Sequence, residues 1–251
     1  MPIHDWSRVD AGIFHDFHVG WIGALRSALN QGVLPDAYYA LIEPYAGKVE
    51  PDILTLHSRF AGQWPEPPIS GDPLAGSTAV LDGPPEVDVI QQAEDAHYLL
   101  KQSSLVIREV RGDRVVALLE IVSHGNKSGE FACERLVDKV VNAMMSGIHV
   151  LVIDLQPPGT WDPRGIHDAI WRAIGQGGFE PPAGKPLTLA SYTGSPDLTC
   201  YVKSAGIGDR FVALPLFLDA EHYVGLPLEQ TYSDAFAGVP AVWRARIKGV
   251  N

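Results

Sequence analysis

Cysteine is scarce in this chain. Cys133 and Cys200 stand alone among 251 residues, with no CxxC spacing. That excludes a disulfide-stapled scaffold and suits a reducing compartment, so the cytoplasm is the expected location. Long apolar runs are missing too. No stretch nears the roughly 20 apolar residues a membrane span needs, so no membrane partner is expected. The opening Met1-Pro2-Ile3-His4-Asp5-Trp6 lacks a basic region followed by an apolar one, and no export signal is visible. Positive charge is short: 19 Lys and Arg face 30 Asp and Glu, for a net charge of −11. With no Lys/Arg-rich run, broad binding to duplex DNA is disfavoured, because few phosphates can be neutralised. A nucleic-acid partner would be weakly held, at a small cleft. Glycine-rich phosphate loops, the G-x-G-x-x-G fingerprint and the G-x-S-x-G elbow are absent as well. NTPase, dinucleotide and serine-hydrolase chemistries therefore lack their signatures.

What remains is an ordinary globular composition, 46% hydrophobic and 20% charged, enough for one core. Residues 1–251 read as a single domain, and assembly as a homo-oligomer is left open. Helical spacing of Phe14, Phe17, Trp21, Ile22, Leu25, Ala28 and Leu29 predicts a helix over 14–30, with Gly32 and Pro35 beyond its end. Strands are expected at Tyr38–Glu43 and Asp52–His57. Six prolines and four glycines within 61–97 predict a long irregular connection. Leu99–Val110 and Arg114–Ile121 read as a strand pair turning at Gly112-Asp113. Ser128 is placed to cap a helix that Gly147 would end. Ile148–Leu155 then reads as a buried strand parallel to Arg114–Ile121. A short helix is expected at 166–174, and strands at 187–192, 200–203 and 211–217.

Glu120 stands out against this background. It interrupts the apolar run Val115-Val116-Ala117-Leu118-Leu119-Glu120-Ile121, and a buried carboxylate needs a partner, a proton or a metal. A second acid, Asp52, opens the strand of Pro51-Asp52-Ile53-Leu54. Two carboxylates converging at a sheet edge suit Mg²⁺ or Mn²⁺. A lysine beside them would stabilise charge in a transition state. Lys127 follows Glu120 by seven residues, and Lys139 lies on the polar side of the next helix, where solvent would also suit it. Glu43, Asp154 and Gln156 are further strand-end candidates. His15 and His18 share a helix face around Asp16 but lack a third zinc ligand.

The run Leu119-Glu120-Ile121-Val122-Ser123-His124-Gly125-Asn126-Lys127, followed by Ser146-Gly147-Ile148-His149-Val150-Leu151-Val152-Ile153-Asp154-Leu155, resembles the bacterial family catalogued as domain of unknown function 4058. That family is a relative of the Uma-type endonuclease-like proteins in the PD-(D/E)XK nuclease superfamily. Phe14-His15-Asp16-Phe17-His18 is similar to the family's first helix. Pro215-Leu216 and Leu226-Pro227-Leu228 are similar to its C-terminal segment. The opening Ile3-His4-Asp5-Trp6 departs from the family's Pro/Gly-rich start. The resemblance implies an α/β fold: a mixed sheet flanked by helices in a PD-(D/E)XK-like core, here with an added C-terminal β-rich segment. It also implies metal-dependent phosphodiester hydrolysis, with Asp52 and Glu120 as metal ligands. The superfamily's lysine would fall at Val122, which cannot serve. A migrated lysine matches Lys139, and Lys127 is the alternative. A non-catalytic binding or assembly protein on the same fold is the rival reading, favoured by the acidic charge and by Val122.

Overall fold

In a computed structural model of the chain, the described residues are 1–44, 103–194, 196 and 198–249. The strand expected at Asp52–His57, Asp52 itself and the 61–97 connection lie outside them.

The first helix, α1 (Ala11–Ala28), buries Phe14, Phe17, Trp21, Ile22 and Leu25 along one stripe. It starts before the expected position and ends in a looser turn, Leu29–Val33, where Gly32 takes φ 128°. Strand β1 (Tyr38–Pro44) follows. Strands β2 (Ser103–Glu109) and β3 (Arg114–Ile121) form the expected hairpin, but the turn is the longer stretch 110–113. Asp113, not glycine, takes the positive φ of 51° there. Asp tolerates that region, and the Arg108 guanidinium donates to the Asp113 carbonyl at 2.6 Å.

Helix α2 (Glu130–Met145) starts later than Ser128. A short 3-10 turn, His124–Lys127, comes first. It is opened by Ser123, whose N–H and hydroxyl both donate to Asn126 Oδ1 at 2.8 Å. Gly147 stops α2 at φ 79°, a conformation other residues rarely adopt. Strand β4 (His149–Asp154) then runs parallel to β3, with Ala117 opposite His149 and Ile121 opposite Ile153. Helix α3 (Ile166–Ala173) and strands β5 (Leu187–Tyr192) and β6 (Cys200–Ala205) complete the main layer. The result is a six-stranded mixed sheet in the order β1-β2-β3-β4-β5-β6, antiparallel except at β3/β4.

The C-terminal segment differs from expectation. Of the strand expected at 211–217 only β7 (Pro215–Phe217) forms, paired with β8 (Tyr223–Gly225). Two helices follow, α4 (Leu228–Gly238) and α5 (Ala241–Ile247). The segment is therefore not wholly β-rich. Leu228, Tyr232 and Phe236 recur every four residues and form the buried stripe of α4.

Helices cover both faces of the sheet, which explains why β4 and β5 are buried along their whole length. One face packs on α1, α4 and the N-terminal residues, the other on α2 and α3. The first core is aromatic, with Trp6, Phe17, Trp21 and Phe236 around Tyr232, and Phe14 packed on Trp6 and Phe17. A polar knot at Tyr232 is satisfied within it. Tyr232 Oη accepts from the His4 N–H at 3.2 Å and from Trp6 Nε1 at 3.1 Å. Its own proton is then left for His4 Nδ1, 2.9 Å away.

Candidate functional site

Strand alternation decides where Glu120 points. Leu119 and Ile121 belong to the α1-side core, while Leu118 and Val122 belong to the α2-side core. Glu120 shares the latter face and lies beneath α2. Lys139 comes down from α2 to meet it. It sits three residues after Leu136 and one before Val140, both buried, so it lies at the margin of the apolar stripe. Its Nζ stands 2.8 Å from Glu120 Oε1 and donates to Ser104 Oγ at 2.6 Å. Lys139 thus points inward to Glu120, and not to the solvent that would also have suited its place on the helix, because Glu120 would otherwise be an isolated buried charge.

Ser104 completes the group. It lies on β2 one step beyond the Leu105–Leu119 pair, alongside Glu120, and is fully buried. Glu120 is 8% exposed. Its Oε1 feels the ammonium, yet no donor meets that oxygen along a hydrogen-bonding direction. Val122, two residues on, is packed into the core, and among the described residues Lys139 is the cation at this carboxylate.

Lys127 is engaged elsewhere. Its Nζ lies 2.8 Å from Asp154 Oδ2 and 2.7 Å from Asp162 Oδ2. It also donates to the carbonyls of Gln156 and Pro157 at 3.0 and 3.3 Å. All three charged side chains are buried. Burial raises the Asp154 carboxyl above its ordinary range even against the neighbouring ammonium. This clasp ties the turn after β3 to the segment after β4. Lys127 and Lys139 therefore serve different carboxylates at the same end of the parallel pair.

Other candidates take structural partners. Glu43 is paired with the Arg108 guanidinium at 2.8 Å. His15 and His18 stack with ring centroids 6.2 Å apart. His18 Nε2 lies 2.9 Å from the Ile121 carbonyl, which can only accept, so Nε2 carries the proton. No group of three or more His, Cys, Asp or Glu side chains arranged to hold a metal ion occurs among the described residues. Asp52, the second expected ligand, lies outside them.

Sequence reasoning missed Ser104 and Asp162. Ser104 gave a faint signal as a polar residue opening the apolar run Leu105-Val106-Ile107. Asp162 gave none, because its pairing with Lys127 depends on how the chain returns after β4.

No family model, no curated protein and no solved structure matches this chain. No helix among the described residues is long and apolar enough to cross a membrane.

Proposed function

We propose that the chain is a metal-dependent phosphodiesterase acting on nucleic acid in the cytoplasm, on a PD-(D/E)XK-like core. One observation carries this reading: a carboxylate set into a central strand, 2.8 Å from a lysine of the crossover helix. A buried acid beside a positioned cation is the minimum apparatus for stabilising a phosphoryl group's developing charge. In this reading the Glu120 carboxylate is the oxygen ligand offered to a hard cation such as Mg²⁺ or Mn²⁺. The described residues supply one such carboxylate, and in this reading Asp52 supplies the other. A bound cation would polarise a phosphoryl oxygen and lower the pKa of a water. Lys139 would hold the anionic phosphoryl oxygens, and Ser104 would keep its ammonium over Glu120.

The test is hydrolysis of bis(4-nitrophenyl) phosphate and of short single- and double-stranded oligonucleotides with Mg²⁺ or Mn²⁺. Glu120→Gln and Lys139→Met should each lower the rate by about 10²-fold or more, the scale of a removed transition-state contact. A wild-type protein inactive on every substrate sinks the reading. The second reading, a non-catalytic binding or assembly protein, is supported by the closure of the pair. Glu120 and Lys139 neutralise each other, and their side chains are only 10% and 11% exposed.

A further inference from the structure

The N-terminal segment, the loop at 206–210 and the end of α5 line a cavity of about 570 Å³ beside the α1-side core. Small-molecule sites run from roughly 300 to 1,000 Å³. Ile3 ties the segment to the loop. Its N–H donates to the Asp209 carbonyl at 2.7 Å, and its carbonyl accepts from the Gly208 N–H at 2.8 Å. The walls are apolar: Ile3 and Ile247 are buried, and Ile207 is 58% exposed. Covering the Ile207 side chain with another apolar group is favourable.

His4 supplies a polar edge to this cavity. It is 6% exposed and stacks flat on Phe236, with ring centroids 4.0 Å apart. Tyr232 Oη already accepts from the His4 and Trp6 N–H groups, so its proton goes to His4 Nδ1. The proton of the neutral ring therefore sits on Nε2, on the edge turned away from Tyr232. Nε2 has no hydrogen-bond partner among the described residues. An N–H on so nearly buried a ring calls for an acceptor. The ring is kept neutral: burial first, and then the Lys248 charge, lower its pKa from 6.5 to about 4.

Lys248, at the end of α5, supplies the charge. Its Nζ lies 5.5 Å from the centroid of the same Phe236 ring on which His4 stacks. The other cations lining the cavity are already paired, Arg8 with Asp5 at 3.0 Å and the Met1 ammonium with Glu229 at 2.6 Å. Lys248 has no carboxylate partner among the described residues.

We propose that this cavity binds an apolar monocarboxylate of the medium-chain fatty-acid class, its carboxylate held by His4 Nε2–H and Lys248 and its chain laid along Ile3, Ile207 and Ile247. One unneutralised positive charge matches a monoanion, whereas a phosphate monoester carries nearly two negative charges. The two carboxylate oxygens suit two separate donors. The cavity lies on the face of the sheet opposite Glu120, and its ligand is independent of the phosphodiesterase reading.

The test is calorimetric titration of the full chain with octanoate. Acetate lacks the chain and 1-octanol lacks the charge, and each should bind about 10-fold more weakly or worse. Octyl phosphate should bind no tighter than octanoate. Lys248→Met and Ile207→Asp alter exposed side chains and should keep the wild-type melting temperature. Each should weaken octanoate about 10-fold or more. The ¹⁵N spectrum gives a readout that needs no variant. His4 should show the Nε2–H tautomer at neutral pH, and octanoate should shift its Nε2 resonance while leaving His167 unmoved. The proposal is overturned if octanoate does not bind at millimolar concentration, or if 1-octanol binds as tightly. A His4 resonance unmoved at saturation overturns it too, as does equal octanoate affinity in the wild type and both variants. Tighter binding of octyl phosphate would overturn the carboxylate assignment.

Discussion

Lys139 Nζ and Glu120 Oε1 face each other at 2.8 Å across the seam between α2 and β3, both nearly sealed from water. Each is the other's main reason for tolerating burial, since an ion in a low-dielectric interior is costly alone. Their coupling should be measurable as a double-mutant cycle in urea. Glu120→Gln and Lys139→Met should each cost about 3–5 kcal/mol, the range for breaking a buried pair. The double variant should cost clearly less than their sum. Additive losses would mean that the two charges do not stabilise each other.

A cation bound at Glu120 should be visible without any turnover. At about one hundred times its Kd, a ligand specific for the folded state adds about 2.7 kcal/mol. In a chain of this size that is a melting-temperature rise on the order of 5–10 °C. Mg²⁺ or Mn²⁺ should produce such a rise in the wild type and not in Glu120→Ala. Equal responses in both proteins would move the metal away from this carboxylate.

The Lys127 clasp predicts a pH effect with a definite sign. The folded state raises the Asp154 carboxyl above its ordinary 3.8. The stability this group contributes is therefore fully present below that value and lost as pH rises through the folded pKa. Wild type should lose stability relative to Asp154→Asn as pH climbs from about 4, in urea melts at several pH values. A difference that stays flat with pH would show that Lys127 has cancelled the burial penalty.

His4 and His167 predict the opposite slope. Burial lowers each to about 4 from 6.5. Their neutral forms contribute stability that is full above 6.5 and lost as pH falls towards 4. His4→Gln and His167→Gln should each flatten the wild-type decline between pH 6.5 and 4. Urea midpoints over that window check it, and an unchanged slope in both variants counts against neutral burial.

Most of the central layer could be read from periodicity. The runs around Val116–Leu119 and Val150–Ile153 are too apolar for anything but buried strands, and the helix between them forces their parallel pairing. The C-terminal helices escaped because Pro227 and the short apolar groups near 211–217 mimic strand punctuation. The four-residue spacing of Leu228, Tyr232 and Phe236 was the overlooked signal. Within the site, Glu120 was conspicuous as a charge inside an apolar strand. Lys139 was ambiguous, because at the margin of a helical stripe the spacing alone does not say which way a long side chain bends. Asp162 could not be found this way, since its partner is set by tertiary return of the chain.

Strand β1 ends at Pro44 and β2 begins at Ser103, and those two residues are partners in one antiparallel ladder. Whatever the chain does between them, it departs from and comes back to a single point, next to Ser104 and Glu120. The entropy of closing such a loop grows only slowly with its length. A segment grafted between these two residues would leave from and return to the strand pair beside Ser104 and Glu120, at the same short spacing whatever its length.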